Sequence, residues 1–479
     1  MRQVKIVATI GPATSSTENL ERLLNAGVNV ARFNMSHGTA DWHRSTIQHL
    51  RQISQKNQTP LAILVDLAGP KIRVGDLPTE GTPLMRDQAV SLIPKESSPQ
   101  ETPAAHRLNQ ELSIDLVSFP KNIKPGQIVL IDDGNIALQV QSLETNQLMC
   151  TVLIGGTVTS RKGVNFPGVP LDIPGFTDKD TRDLQLAIEE QVDYVALSFV
   201  RQPQDIRAVQ SALAERSATI PIIAKIERPE ALTCFDEILD IADGVMIARG
   251  DLALELSPEE VPLLQKRIIS QTNRRGKPVI TATQMLESMT RHPSPTRAEA
   301  SDVANAVLDG TDAVMLSAET STGSYPIEAV EVMDRIIRHT EKMDCPPRHT
   351  HDATAPALLS TPEAVCKTAV SLSRFVGAQA IVVFTESGHT AMVLAHHRPP
   401  VPILALTPSS PVTRKLALVW GLASIVFSQM NDTDERIHAA QDRLKELGMI
   451  AKGQLIVIVT GERLGHALGT NLIKVHLVV

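Results

Sequence analysis

The sequence predicts an α/β protein: a (β/α)8 TIM-type barrel that is interrupted by a small all-β insert and followed by a C-terminal open α/β domain. Short apolar runs rich in Val and Ile alternate with amphipathic stretches along most of the chain. Such near-continuously apolar runs are typical of parallel strands buried on both faces. The alternation breaks between about Gly75 and Gly168, where Pro, Gly and polar residues are frequent. A Pro-rich and His-rich stretch later separates the barrel units from a further set of apolar runs.

The first barrel strands precede the insert. Their apolar runs are VKIVATI (4–10), NVARFNMS (29–36) and LAILVDL (61–67). We expect a helix from Thr17, which is a candidate N-cap, and a second helix near 40–55.

The barrel pattern resumes after the insert, at Thr177. Five apolar runs follow, each with a helical pattern behind it: 193–199, 221–226, 242–249, 278–283 and 312–317. Together the two sets give about eight strand–helix units, the number found in a TIM-type barrel. The predicted barrel is therefore interrupted after its third strand.

The insert and the C-terminal region have different patterns. Segments such as QIVLID and NIALQVQSL in the insert alternate with a period of two, which indicates strands with one buried face. The stretch 345–362 reads as a linker, and behind it four apolar runs predict strands at 380–385, 401–407, 423–428 and 454–460. We place a first barrel segment at 1–73, the insert at 74–169, a second barrel segment at 170–344 and the C-terminal domain at 345–479.

Composition excludes several classes of protein. The 479 residues carry a formal net charge of −7, which argues against a nucleic-acid binder or a protein of anionic membrane surfaces. The four cysteines have neither metal-type nor redox-type spacing, so we expect free thiols in a reducing, cytoplasmic compartment. We read the N-terminus as a first strand rather than a signal peptide, and we expect no membrane span.

Polar residues end nearly every predicted barrel strand. Catalytic residues of barrel enzymes lie at the carboxyl ends of the strands, and a series of polar strand ends is harder to explain by solvent exposure than a single one. The residues are Thr9, Arg32, Asn34, Ser36, Asp66, Ser198, Lys225, Glu227, Arg249, Asp251, Thr283, Ser317 and Glu319.

Spacing groups some of these side chains. Arg32, Asn34 and Ser36 alternate, so we expect them on one side of their strand, as we do Lys225 and Glu227. A Lys two residues from a Glu could also be only a surface ion pair, which contributes little.

Glu227 and Asp251 are the best candidate metal ligands. Mg²⁺ takes one or two carboxylates and leaves its other positions to water and substrate oxygens, and no His/Cys cluster favours zinc. Asp251 could alternatively be a helix N-cap after Gly250. Basic residues, among them Arg249, would supply the local positive potential that an anionic ligand needs, while GGTVTSRKG (155–163) could be a bulged hairpin.

At these residues the sequence resembles the pyruvate kinase family along almost its whole length. The ordered motifs are TIGPAT (9–14), ARFNMSHG (31–38), VDLAGPKIRVG (65–75), IDDG (131–134), RKGVNFPG (161–168), DYVALSFVR (193–201), AKIE (224–227), ARGDL (248–252), KPVITATQMLESM (277–289) and PTRAEASDVANAVLDGTDAVMLSAETSTGSYP (295–326).

The resemblance implies transfer of a phosphoryl group from phosphoenolpyruvate to ADP, the last step of glycolysis. It assigns the Mg²⁺ site, which Mn²⁺ could also fill, to Glu227 and Asp251, and phosphoryl neutralisation to Lys225 and Arg32. It also implies a proton-delivering pair, substrate contacts and nucleotide contacts. These residues are Thr283 and Ser317 for the proton, Ser198, Gly250, Asp251 and Thr283 for substrate, and Asn34, His37, Arg73 and Lys162 for the nucleotide.

By the same resemblance, the insert would be a lid closing over ADP. Many family members hold K⁺ at groups matching Asn34, Ser36 and Asp66. Those members usually have Glu where Lys71 stands and Thr where Leu67 stands. A Lys ammonium could take the place of the cation, so we expect activity without K⁺.

The resemblance extends to regulation and assembly. FTESGHTA (384–391) resembles the family's effector-phosphate loop, with Thr385, Ser387, Gly388 and Thr390 as candidates, although a strand-to-helix turn would look similar. Glu386 would repel a phosphate if it pointed inward, which argues against fructose 1,6-bisphosphate as the effector and leaves AMP, ribose 5-phosphate or glucose 6-phosphate open. The family implies a homotetramer. Because the chain ends at the strand-like IKVHLVV, we expect no additional phosphotransfer domain.

Two segments depart from the family pattern. Arg228 and Pro229 replace the usual AKIEN-type continuation, and LDIPGFTDKD (171–180) departs from the common LPA-T-KD pattern. Both departures lie beside the substrate pocket or the lid hinge.

Two other functions compete with the kinase. Another Mg²⁺-dependent barrel enzyme, such as a carbon–carbon lyase acting on phosphoenolpyruvate or a keto acid, would not need a lid carrying Lys162 or an effector domain. A non-enzymatic sensor would be expected to have lost Lys225, Glu227, Asp251 or Thr283, and all four are present.

Overall fold

The computed structural model describes most of the chain. The described residues are 1–94, 110–120, 122–144, 146–169, 173–343, 359–428, 432–461 and 469–479.

The first three barrel strands lie within the predicted runs. In chain order the elements are β1 (Lys5–Thr9), α1 (Thr17–Asn25), β2 (Val30–Asn34), α2 (Ala40–Lys56) and β3 (Ala62–Asp66). The N-cap of α1 is Ser16, whose side chain accepts a hydrogen bond from the Asn19 N–H. Thr17 is therefore the first helical residue and not the cap.

The insert is made of strands, as its alternating pattern predicts. They are β4 (Thr82–Leu84), β5 (Ala89–Pro94), β6 (Gln110–Ile114), β7 (Ile128–Ile131), β8 (Ile136–Glu144), β9 (Gln147–Ile154), β10 (Gly156–Val158) and β11 (Val164–Asn165). Six form one sheet in the order β11-β7-β8-β9-β5-β6, and β10 pairs with β4. The insert has a hydrophobic core of its own, separate from that of the barrel.

The second barrel segment supplies the other five barrel strands. Its elements are α3 (Asp178–Glu189), β12 (Tyr194–Leu197), α4 (Pro203–Ala214), β13 (Ile222–Ile226), α5 (Pro229–Thr233), α6 (Phe235–Ile241), β14 (Gly244–Ala248), α7 (Arg249–Glu255), α8 (Val261–Arg274), β15 (Val279–Ala282), α9 (Arg297–Asp309), β16 (Ala313–Leu316), α10 (Ala318–Ser321) and α11 (Pro326–Glu341). A short 3-10 turn covers Glu287–Thr290. The eight strands close in the order β1-β16-β15-β14-β13-β12-β3-β2, so the predicted interrupted barrel is confirmed.

The C-terminal domain is an open α/β sheet, as predicted. Its elements are α12 (Thr361–Phe375), β17 (Ala380–Phe384), α13 (His389–His396), β18 (Ile403–Thr407), α14 (Ser410–Leu416), β19 (Leu422–Val426), α15 (Thr433–Glu446), β20 (Leu455–Thr460) and β21 (Leu472–Leu477). The strand order is β19-β18-β17-β20-β21, and only the last pair is antiparallel.

The barrel interior is filled by side chains. Because successive side chains of a strand point to opposite faces, one residue in two points inward. The inward apolar group includes Val7, Val30, Leu64, Ala196 and Ile223, and it is completed by Ala417 and Leu418 of the C-terminal domain. The C-terminal domain thus closes the amino end of the barrel, and the carboxyl end faces the insert.

None of the helices in the described part of the chain has the length and apolar character needed to cross a bilayer. The limits at 73/74 and 169/170 stay predictions. The limit at 344/345 and most of the predicted linker 345–362 lie outside the described residues.

Candidate active site

A polar layer lies directly above the apolar filling of the barrel. Each of the five inward apolar residues named above is followed, two positions later in the sequence, by a polar residue. These polar residues are Thr9, Arg32, Asp66, Ser198 and Lys225. Because every second side chain of a strand lies on the same face, these five side chains also point into the barrel. The interior therefore changes from apolar to charged at the carboxyl end, where barrel enzymes do their chemistry.

Lys225 is the centre of this layer. Its Nζ lies 2.9 Å from Glu227 Oε1 and 3.1 Å from Asp66 Oδ1, and it donates to Ser198 Oγ at 2.7 Å. Lys225 is 8% exposed and Glu227 is 1% exposed, so this is not the surface ion pair that the spacing also allowed.

Arg32 completes the cluster on the other side of Asp66. Its Nε donates to Asp66 Oδ2 at 2.7 Å, and its Nη1 donates to Thr9 Oγ1 at 2.9 Å. One carboxylate thus holds both cations side by side in the barrel mouth.

The charges of the cluster set the protonation states. Burial alone would raise the pKa of Asp66, but Lys225 and Arg32 outweigh burial and hold it below its usual value. Burial alone would lower the pKa of Lys225, but Asp66 and Glu227 outweigh it and raise it. Lys225 is therefore an ammonium held between two carboxylates.

Glu227 and Asp251 have the chemistry of a divalent metal site. Burial raises the pKa of Glu227; Lys225 opposes that shift, and the negative charge of Asp251 adds to it. A cation between the two carboxylates would relieve this repulsion. Among the described residues no group of three or more His, Cys, Asp or Glu could hold a metal, so the protein would supply two carboxylates and leave the other positions to substrate and water.

Asp251 is not a helix N-cap. Helix α7 begins at Arg249, its N-cap is Ala248, and Asp251 lies in the first turn. The Gly250 N–H next to it donates to Thr283 Oγ1 at 2.8 Å. Gly250, a predicted substrate contact, therefore lies against Thr283, which is predicted to deliver the proton.

Thr283 has an unusual backbone conformation, and Ser317 has a hydroxyl without a hydrogen-bond partner. Thr283 has a φ of 67° and Gln284 one of 54°, a conformation that costs free energy in residues with side chains. The Oγ of Ser317 is buried and has no hydrogen-bond partner in the described structure. The carboxylate of Glu319 accepts from the Ser317 N–H at 2.7 Å and the Leu286 N–H at 3.1 Å, which ties the ends of β16 and β15 together.

A cleft of about 680 Å³ lies between the barrel and the insert. It brings together all four predicted nucleotide contacts and further charged and polar groups. The lining residues are Asn34, Ser36, His37, Lys71, Arg73, Asp132, Asp133, Ser160, Arg161, Lys162 and Gly163.

Two of the cleft residues have informative surroundings. Lys162 Nζ lies 2.6 Å from Asp132 Oδ1, and this hydrogen bond lowers the pKa of Asp132. His37 is exposed, yet partial desolvation and then the positive charges of Arg73, Lys71 and Arg32 lower its pKa. A polyphosphate in the cleft would be attracted by several cations at once.

The predicted monovalent-cation residues fall into two groups. Asn34 and Ser36 line the cleft, whereas Asp66 and Leu67 are buried beneath it. Strand β2 ends at Asn34, and Ser36 belongs to the next turn, where its N–H donates to Asn34 Oδ1 at 3.1 Å. Lys71 also lines the cleft, with Nζ 3.8 Å from Asp251 Oδ1.

The predicted effector loop connects β17 to α13. Thr385 Oγ1 accepts from the Gly388 N–H at 3.0 Å, and Ser387 Oγ accepts from the His389 N–H at 3.4 Å. Thr390 shares a 2.7 Å hydrogen bond with the Thr470 hydroxyl. The hydroxyls therefore stabilise a strand-to-helix turn. The loop belongs to the C-terminal domain and not to the barrel.

Some contacts of the site were not predicted. Arg249 is not an open cation, because its guanidinium binds Asp302 Oδ1 and the Thr283 carbonyl oxygen. Asp132 was visible only as part of the motif IDDG. The partnership of Arg228 with Glu255, 2.5 Å apart, had no signal in the sequence.

Two family models match most of the chain. The family model for the pyruvate kinase barrel domain matches residues 1–330, and the model for the pyruvate kinase alpha/beta domain matches residues 363–476.

Similar proteins match the whole chain. Pyruvate kinase 2 of Synechocystis is 42% identical over 482 aligned positions, which cover 100% of this chain and 79% of that protein. Pyruvate kinase of Geobacillus stearothermophilus is 42% identical and covers 100% of this chain and 80% of its own length. A crystal structure of a pyruvate kinase from Cryptosporidium parvum superposes with a TM-score of 0.91 at 35% identity, covering 100% of this chain and 96% of that one.

Proposed function

The chain belongs to the pyruvate kinase family, and on that premise we propose that it transfers the phosphoryl group of phosphoenolpyruvate to ADP in a Mg²⁺-dependent reaction that does not require K⁺. The observation that carries this proposal is the buried ammonium of Lys225 between Asp66 and Glu227. Family membership makes the chain a phosphotransferase of glycolysis, with phosphoenolpyruvate and ADP as substrates, and implies a divalent metal in general. The specific ions, residue roles, regulation and assembly are proposals.

Lys225 and Arg32 would neutralise the phosphoryl group during transfer. Both cations are buried and held by Asp66, so they need little reorganisation when charge develops. Glu227 and Asp251 would hold Mg²⁺ or Mn²⁺, which when bound supplies positive charge to the substrate oxygens.

Thr283 and Ser317 would deliver a proton to the methylene carbon once the phosphoryl group has left. The unpartnered hydroxyl of Ser317 supports this role, since it has a hydrogen to donate. Ser198 would orient Lys225 through their 2.7 Å hydrogen bond. The main-chain amides near Gly250 would bind the substrate carboxylate. In the cleft, Asn34, His37, Arg73 and Lys162 would bind the phosphates of ADP.

The independence from K⁺ rests on Lys71. Its ammonium shares the cleft with Asn34 and Ser36 and lies 3.8 Å from Asp251. A fixed positive charge there could substitute for a monovalent cation next to the same groups.

Regulation and assembly belong to the C-terminal domain. We propose that the loop of Thr385, Ser387, Gly388 and Thr390 binds a sugar phosphate or a nucleotide. Strand β21 is at the edge of its sheet and exposes Val475 and Leu477, which supports self-association, with a homotetramer as the expected state. We also propose a cytoplasmic location.

The test is a coupled assay of pyruvate formation from phosphoenolpyruvate and ADP. We expect activity with Mg²⁺ or Mn²⁺, none after chelation, and less than about twofold activation by K⁺ at saturating substrates. Strong K⁺ activation would refute the Lys71 proposal alone. Absence of activity with every metal and sugar phosphate would reopen the lyase and sensor alternatives.

Regulation and assembly are tested separately. Saturation curves for phosphoenolpyruvate with fructose 1,6-bisphosphate, AMP, ribose 5-phosphate and glucose 6-phosphate would identify an effector, and Ser387→Ala should weaken its action. Light scattering should give four times the mass of one chain.

A further inference from the structure

A buried ion pair of the barrel lies beside the proposed metal ligands and contacts the insert. Arg228 follows Glu227 directly, and its Nη1 lies 2.5 Å from Oε1 of Glu255, the last residue of α7. The two side chains are 9% and 1% exposed. The Nη2 of Arg228 also donates to the carbonyl oxygen of Val169, which packs in the core of the insert, at 3.4 Å.

The second oxygen of Glu255 is the unusual feature of this pair. Oε2 is buried and makes no hydrogen bond in the described structure. A buried carboxylate oxygen without a donor is costly. Burial raises the pKa of Glu255, the positive charge of Arg228 opposes this rise most, and the Asn165 side chain and the Gly168 backbone, both from the insert, oppose it further.

Asn165 is connected to the cleft through the strand that contains it. Strand β11 is Val164–Asn165, and Lys162 lies three residues before Asn165. An extended chain advances about 3.3 Å per residue, so the two residues lie within about 10 Å of each other along the backbone. A displacement of Asn165 would therefore also displace Lys162. Val164 pairs with Ile131, which precedes Asp132, the partner of Lys162.

A small cavity lies at the junction of the insert and the barrel. A cavity of about 40 Å³ is lined by Asn165, Arg228, Lys71 and Phe199, among others. Asn165 of the insert and Arg228 of the barrel therefore face the same space.

We propose that Arg228 and Glu255 are positioning residues, which capture Asn165 and Gly168 of the insert and thereby hold Lys162 and Arg73 over the nucleotide. The inference rests on the proposed assignment of the cleft to ADP. It differs from that assignment because neither residue of the pair lines the cleft.

Steady-state kinetics with ADP and phosphoenolpyruvate varied separately test the proposal. Arg228→Met and Glu255→Gln should each raise KM for ADP about tenfold and leave KM for phosphoenolpyruvate within about twofold, because only the insert loses its fixed position. Arg228→Lys should restore part of the loss. Equal changes in both KM values, or no change in KM for ADP, would overturn the proposal.

Stability and positioning are separated by a double variant. Arg228→Met alone leaves a buried carboxylate unpaired and should destabilise the fold, whereas adding Glu255→Gln removes that charge. We expect the double variant to recover thermal stability and to keep the raised KM for ADP. If the double variant recovered both its thermal stability and the native KM for ADP, the pair would only stabilise the fold and the proposal would be refuted.

Two controls complete the experiment. Arg2→Met breaks a partly buried ion pair far along the chain, that of Arg2 with Asp334 at 2.7 Å, and should lower stability without changing KM for ADP. Lys162→Met tests the cleft itself. If Lys162→Met raises KM for ADP and Arg228→Met does not, the positioning role alone fails; if Lys162→Met has no effect, the assignment of the cleft fails.

Discussion

The two ends of the barrel each bury a lysine, with opposite consequences. Lys225 at the carboxyl end is 8% exposed and Lys5 at the amino end is 4% exposed. Lys225 contacts two carboxylates, which raise its pKa despite burial. Lys5 donates to the Leu422 carbonyl oxygen at 2.6 Å, and burial followed by the charge of Arg2 lowers its pKa to about 7, although Glu341 and Asp312 oppose this. Partners, rather than depth, decide which lysine stays charged.

Carboxylates at the two ends differ in the same way. At the amino end Asp193, Asp243 and Asp312 each precede a strand. Each accepts a hydrogen bond from the N–H of a residue in the neighbouring strand, at 2.8 to 2.9 Å. Their charge is used for backbone hydrogen bonds and for Arg414 and Arg398 of the C-terminal domain. At the carboxyl end Asp66 and Glu227 instead hold the side-chain cations of Arg32 and Lys225. The same residue types therefore stabilise the fold at one end and prepare chemistry at the other.

The largest expected effect tests the carboxyl end. Lys225→Met should lower kcat by at least about 10²–10³-fold, because the transferring phosphoryl group loses a preorganised positive charge. Lys5→Met removes a buried lysine from the other end and is the matched control, with kcat expected within about twofold. Similar losses in both variants in the coupled assay would contradict the division between the two ends.

The next effect tests the amino end. Leu418→Ala removes a fully buried side chain that the C-terminal domain inserts into the barrel, and should lower the free energy of unfolding by about 2–5 kcal/mol. Leu263→Ala, at a position 72% exposed, should change it by less than about 0.5 kcal/mol. Urea unfolding measures both. If Leu418→Ala instead lowered kcat of the folded enzyme, the amino end would have a role in catalysis.

A smaller effect concerns the cleft. Lys71→Glu replaces the proposed built-in cation by a carboxylate, so K⁺ should activate the variant about tenfold, equivalent to about 1.4 kcal/mol. Lys71→Met is the control that removes the ammonium without adding a ligand, and it should respond less to K⁺. An unchanged response in Lys71→Glu would show that Lys71 does not occupy the place of the cation.

Much of the fold could be predicted because its signals are local. A strand buried on both faces is an apolar run, and the insert is a change from that pattern to alternation. The positions of Lys225 and Glu227 could be predicted for the same reason, since a period of two continues past the apolar part of a strand.

Pairings between distant residues could not be predicted in the same way. Asp132 meets Lys162 only because the strands of the insert return to the barrel, and Arg228 meets Glu255 only because adjacent barrel strands bring two loops together. The positive φ of Thr283 could not be predicted either, because the usual sequence signal of a positive φ is a glycine and this position is a threonine. By contrast, Asp193, Asp243 and Asp312 can be recognised in the sequence, because each is an Asp directly before an apolar run. This pattern marks the start of a strand and not a catalytic site.

The smallest expected effect is a pH dependence that only one end should show. Lys5 has a pKa of about 7 when folded and an ordinary value of 10.5, so between these values the unfolded chain binds one more proton. The free energy of unfolding should therefore rise with pH in this window, and the cost of burying the charge is fully present below pH 7. Relative to Lys5→Met, the native protein should gain about 1 kcal/mol between pH 7 and pH 8. Parallel curves from urea unfolding of the two proteins would mean that Lys5 keeps its proton, and the contrast between the two lysines would then be lost.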